Sequence, residues 1–119
     1  MTGTITLRGF TGTADLRTPR STFDTFCRSI VTGQAPTLWK SIDPDLRLSM
    51  QSRYHREGED RFFGRMRGVI ANSQGRLCLG QPSPAQAGLV RCPVLRAGRQ
   101  VATASFRFAD CSWLLTSLN

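Results

Sequence analysis

The sequence has no run of about 18 apolar residues, so no transmembrane helix is expected. It contains one lysine, Lys40, one histidine, His55, and one tyrosine, Tyr54. None of its four cysteines, Cys27, Cys78, Cys92 and Cys111, is spaced as C-x-x-C. Zinc sites draw on closely paired ligands, so no metal site is expected, and nothing in the pattern asks for a cofactor. The cysteines read as buried free thiols that pack as small hydrophobes. The opening MTGTITLRGF lacks a basic segment followed by an apolar one. No signal peptide is read there, and the expected location is the cytoplasm. Internal repeats and low-complexity tails are missing too.

What is present suits one globular domain. The chain has 119 residues, of which 39% are hydrophobic and 20% charged. A chain of this length buries roughly 65% of its unfolded surface, enough for one core. Sixteen basic residues face eight acidic ones, for a formal charge of +8. Nearly all the cations are arginine. Such a balance attracts nucleic acid, acidic partners or anionic surfaces, or reflects a compositional preference for arginine.

The segment TPRSTFDTFCRSIVTG predicts a helix. Thr18 suits the N-cap and Pro19 the first helical position. Phe23, Phe26, Cys27, Ile30 and Val31 make one apolar stripe, and Gly33 sits where a left-handed cap is expected. A second short helix is predicted over 36–42. Asp43 precedes Pro44 and leaves the helical region, so a turn is expected there, with Leu46 and Leu48 as apolar anchors beyond it. REGEDRFFGRMRGVI predicts a third helix with Phe62, Phe63, Met66 and Val69 or Ile70 on one face.

After residue 75 the period becomes two. RLCLG, GLVRCPVLR, RQVATASFRF and CSWLLTSL predict strands, with QPSPAQAG as a loop, and RAGR and ADCS as turns. A further short strand is predicted over 4–10. If ADCS closes a hairpin, Phe108 lies opposite Trp113 and Phe106 opposite Leu115. All four then share one face, with Arg107 and Leu114 on the other. Trp113 is expected to be largely buried. The fold class is α+β: N-terminal helices packed on a bent antiparallel meander.

TPRSTFDTFCRSIVTGQAPTLWKSIDPDLR resembles the opening of the nuclear-transport-factor-2-like superfamily, and VRCPVLRAGRQVATASFRFADCSWLLTSL resembles its closing meander. The resemblance covers about 18–118. It implies a cone-shaped sheet with a pocket at its mouth, and it makes a homodimer an expectation. The family hosts enzymes and non-catalytic binders alike, so fold does not fix function. Its enzymes, among them isomerases, dehydratases and epoxide hydrolases, place acid–base groups inside the cone.

Here the strand positions open to a pocket are Val90, Cys92, Val94, Val101, Thr103 and Ser105, or the alternate set. Only arginines, such as Arg91 and Arg107, carry charge within these strands, which argues against proton-transfer chemistry. Tyr54 and His55 are neighbours that diverge on either regular element. His55 reads as solvated. Glu57, Glu59 and Asp60 read as salt-bridged to nearby arginines, and Cys92 as inert.

The favoured function is a non-catalytic module that binds an apolar small molecule or a protein partner. Trp39, Phe106, Phe108 and Trp113 are its candidate ligand residues. A small enzyme using the cone pocket is one alternative. The other is an accessory nucleic-acid binder using Arg53, Arg56, Arg61, Arg65 and Arg67. No membrane partner is expected.

Overall fold

Thr18 begins the first helix as its position predicts. The computed structural model of the chain describes residues 14–119, so the strand predicted over 4–10 lies outside the described residues. The Thr18 hydroxyl accepts from the Ser21 N–H, and the Ser21 hydroxyl accepts from the Thr18 N–H, a reciprocal capping box. Helix α1 (Pro19–Thr32) ends at Gly33, which holds φ 70°. Helix α2 (Ala35–Lys40) is shorter than predicted at its C-terminal end.

Helix α3 (Pro44–Glu57) is a correction. Asp43–Pro44 was expected only to turn the chain, but it starts a helix. Asp43 is extended, with ψ 150°, and its carboxylate accepts from the Asp45 N–H. Proline restricts the residue before it and is itself well placed at the first helical position. Leu46, Met50 and Tyr54 pack against the core. Leu48 is not an anchor, being 69% exposed. Gly58, at φ 90°, separates α3 from α4 (Glu59–Ile70), so the third predicted helix starts later than its sequence segment.

Six strands follow: β1 (Ala71–Asn72), β2 (Gly75–Leu79), β3 (Ser83–Gln86), β4 (Leu89–Arg96), β5 (Arg99–Ala109) and β6 (Ser112–Leu118). They form one antiparallel sheet in the order β1-β2-β4-β5-β6, with β3 also paired to β4. Strand β3 corrects the expected loop: despite two prolines, Ser83 pairs with Arg91 and Gln86 with Leu89. The sheet curls around the helices.

The hairpin registers follow from their turns. Arg96 pairs with Arg99 across Ala97–Gly98, and Ala109 with Ser112 across Asp110–Cys111. All four turn residues have positive φ. Consecutive left-handed residues give the turn whose twist matches the strands. Within ADCS the loop is therefore the two residues Asp110 and Cys111, flanked by the paired Ala109 and Ser112. Phe108 opposes Trp113 and Phe106 opposes Leu115, as predicted.

Burial along this hairpin is graded. Phe106 and Leu115 are fully buried, Trp113 is half-buried and Phe108 is 48% exposed. Trp113 packs against the core with its backbone held by Thr22 of α1 and by Leu16, in line with the expectation of burial, although it is not sealed as Phe106 is. Its partner Phe108 is the ring left to solvent.

The core is one cluster. Phe23, Phe26 and Ile30 of α1, Leu38 of α2 and Phe62 and Phe63 of α4 pack against Cys92, Val94, Ala104, Phe106 and Leu115 of the sheet. Val31, predicted in the apolar stripe, faces outward. The β6 edge is closed by the chain before α3. Leu115 exchanges backbone bonds with Ser41 and Asp43, and the Trp113 N–H donates to the Leu16 carbonyl. No helix among the described residues is long and apolar enough to cross a membrane.

Candidate functional site

The predicted ligand residues are placed in three separate settings. Phe106 is part of the closed core. Phe108 and Trp113 form a tilted pair at the hairpin end, with ring centroids 5.2 Å apart. Trp39 joins a cluster of rings between α2, α3 and α4, 5.5 Å from Tyr54 and 6.2 Å from Phe62. The inner face of the sheet carries Val90, Cys92 and Val94 opposite Phe106, Ala104 and Ala102. On β5 it is thus the alternate set that points inward. These positions are filled by core packing against the helices.

The arginine face divides by use. Arg65 holds Glu57 through two bonds of 3.1 and 2.9 Å and lies 5.6 Å from the Phe62 ring centroid. Arg67 donates to the Val31 carbonyl at the end of α1 and covers the Phe63 ring. Arg96, from β4, likewise donates to the Val69 carbonyl at the end of α4. Guanidinium groups favour helix C-termini, where carbonyls lack partners and the dipole is negative. Arg53, Arg56 and Arg61 are exposed and make no ion pair among the described residues. Tyr54 turns inward and donates to Glu59, while His55 is exposed. Burial, then the bond to Glu59, pushes the Tyr54 hydroxyl above its ordinary pKa.

The thiols also divide. All four are free, but Cys78 and Cys111 are exposed, which corrects the expectation of four buried ones. Side chains alternate on β2, so Cys78 points away from Leu77 and Leu79. Cys111 sits in a turn and has no interior to enter. Burial pushes the Cys27 thiol up to about 12, with Asp24 adding to the effect, and burial also raises Cys92. Both stay protonated at neutral pH and are poor nucleophiles.

The accessible apolar space lies elsewhere, in a groove between α1 and β2. Its central part, about 300 Å³, is lined by Arg20, Phe23, Asp24, Cys27, Arg76 and Cys78, with Leu77 and Leu79. An adjoining cavity of about 480 Å³ shares Asp24, Cys27 and Arg76 and extends past Val31 to Ile70. A third, of about 150 Å³, continues from Arg20 and Leu79 to Gly80 and Pro82. Asp24 is paired with Arg28 at 3.0 Å. Arg20 and Arg76 have no carboxylate partner among the described residues.

Sequence reasoning missed this groove. The charge series Arg20, Asp24, Arg28 at four-residue intervals marks one flank of α1, but nothing in the sequence says that β2 lies across from it.

A second cleft, about 540 Å³, holds Asp43, Asp45, Arg107 and Thr116. One Asp43 oxygen takes Arg107 at 2.6 Å and the other takes the Asp45 N–H. One oxygen thus ties the start of α3 to β5 and the other caps the helix. Among the described residues, no three His, Cys, Asp or Glu side chains are gathered to hold a metal ion. Comparison with protein-family models, with curated proteins and with solved structures gives no match for this chain.

Proposed function

We propose that this protein is a non-catalytic binding module that holds a segment of a protein partner in the groove between α1 and β2. One observation carries the reading. The inner face of the sheet is filled by side chains, while accessible apolar surface with unpaired cations on its rim runs along α1. A small ligand inside the cone has to displace Phe62, Phe63 or Phe106, all essentially buried. A partner on the groove displaces only water from Cys27, Val31, Ala71 and Leu77. Among the described residues, the groove's carboxylate, Asp24, is paired with Arg28 and its Cys27 thiol is held protonated by burial, which supports a role without chemistry.

The experiment is a selection of displayed random peptides, about ten residues long and so longer than the groove, on the immobilised full chain. Cys78 lines the groove and Cys111 lies at the far hairpin turn, so the two exposed thiols act as reporter and control. Selected peptides should slow alkylation of Cys78 and leave Cys111 unchanged. Selection that yields no peptide, or only peptides that leave Cys78 reactive, removes the reading.

A further inference from the structure

The open side of the groove is a strand edge. The Gly80 N–H donates to the Pro93 carbonyl of β4 at 2.8 Å. Facing alternates along an antiparallel ladder, so Cys78 also turns its backbone groups toward β4. Leu77 and Leu79 then turn theirs away. Gly75 fits the same alternation, because it pairs outward with Asn72 of β1. Strand β1 ends there, and past Arg76 no strand among the described residues pairs with this side of β2.

The other margins are guarded. The β6 edge is occupied by Ser41, Asp43 and Leu16. Strand β3 carries Pro84, with Pro82 just before it, and proline blunts an edge. At Leu77–Leu79 the outward N–H and C=O groups face the groove itself.

We infer that β2 takes an extended acidic and apolar peptide as an added strand. This rests on the binding role proposed above. Its inward side chains lie over Phe23, Cys27 and Leu79, and its carboxylates meet Arg20 and Arg76. Peptides added to a sheet edge gain affinity from backbone bonds and selectivity from alternate side chains.

The dimensions agree. Helix α1 has 14 residues, about 21 Å of rise, which spans about six residues of extended chain. Charge selects the occupant. Arg20, Arg28 and Arg76 stand against Asp24 alone, on a chain with formal charge +8. A second copy of this chain paired edge to edge gathers Arg20, Arg28 and Arg76 of both copies along one seam, and the segment over 4–10 carries Arg8 and no acid. An acidic partner segment meets neither repulsion.

The test uses the groove-protecting peptides, resynthesised with N-methyl groups on either alternate set of amides. Only one edge of an added strand pairs with β2. One methylation pattern should therefore weaken protection of Cys78 by about tenfold or more, and the other should leave it nearly intact. The selected peptides should be net acidic. The exposed changes Arg20→Glu and Arg76→Glu should each weaken binding by about tenfold while leaving the circular dichroism spectrum and melting temperature unchanged.

Groove-protecting peptides that are neutral or basic, or that respond equally to both methylation patterns, overturn strand addition and leave the binding role standing. No groove-protecting peptide at all removes both. A dimer seen by light scattering and dispersed by Arg76→Glu assigns the edge to a second copy. Peptide binding that appears only when residues 4–10 are deleted assigns it to the chain's own N-terminal segment. Either result overturns the inference.

Discussion

Replacing Asp43 by alanine should destabilise the protein by about 1–2 kcal/mol. Two interactions are lost. The first is the cap on α3, where loss of an aspartate costs about 1 kcal/mol. The second is the bond from Arg107, 2.6 Å long but made by a side chain that is 49% exposed. Water replaces Asp43 around such a guanidinium, so this contribution is held to roughly 0.2–1 kcal/mol. A domain of this size loses about 4 °C of melting temperature per kcal/mol, giving a fall of about 4–8 °C. Asp43→Asn keeps a capping oxygen and removes the charge, so it should fall by a fraction of that. Thermal denaturation followed by circular dichroism, with urea titration as a check, reads both variants. A double-mutant cycle with Arg107→Met should give a coupling of no more than about 1 kcal/mol. Equal losses in Asp43→Ala and Asp43→Asn, or a coupling above about 3 kcal/mol, would refute the assignment of the larger part to the helix cap.

Three further outcomes are expected. Phe106→Ala should cost about 3–5 kcal/mol and Trp113→Ala clearly less, because one ring is fully buried and the other is partly exposed; urea midpoints that rank them the other way place the hairpin core at its tip. Cys111 holds φ 63° beside Asp110 at φ 51°, so Cys111→Gly should stabilise the fold by up to about 1 kcal/mol, and a lower melting temperature counts against the left-handed turn. The Cys27 thiol is raised from an ordinary value of 9.0 to about 12. A raised folded-state value means that its stabilisation is complete below about pH 9 and is lost as pH climbs toward 12, so Cys27→Ala should flatten the alkaline side of the stability profile, and parallel profiles would contradict this.

The elements that were legible in the sequence carry their own local signals. Thr18, Pro19 and Gly33 fix both ends of α1 through caps that act within one turn. The two hairpins are legible because their loops set the register, so Phe108 meets Trp113 whatever the rest of the chain does. Helix α3 escaped because the apolar positions Leu46, Met50 and Tyr54 are sparse and Leu48 breaks the stripe. The Asp43–Pro44 signal has the same form as Thr18–Pro19, but without a clear apolar stripe after it the pair reads equally as a turn. Strand β3 escaped because prolines lower strand preference while an edge strand tolerates them. The groove was out of reach for a different reason: Cys27 and Cys78 lie far apart in the sequence, and their placement beside one space depends on the curl of the whole sheet. Of the aromatic candidates, Phe106 is sealed in the core while Phe108 stays 48% exposed, a difference set by where the helices lie and so not legible in the alternation of β5.

The closure of the β6 edge has a consequence for how the chain is made. Ser41 and Asp43 find their backbone partners on Leu115, and the Thr22 hydroxyl donates to the Trp113 carbonyl. These partners emerge from the ribosome about 70 residues after Ser41, a delay of about 4–14 s at ordinary elongation rates. During that interval α1, α2 and α4 present Phe26, Leu38, Phe62 and Phe63 with no sheet to cover them. Until β6 has been made, the helical half exposes the kind of apolar surface that chaperones recognise, and a chain lacking β6 should be cleaved by protease more readily than the full fold.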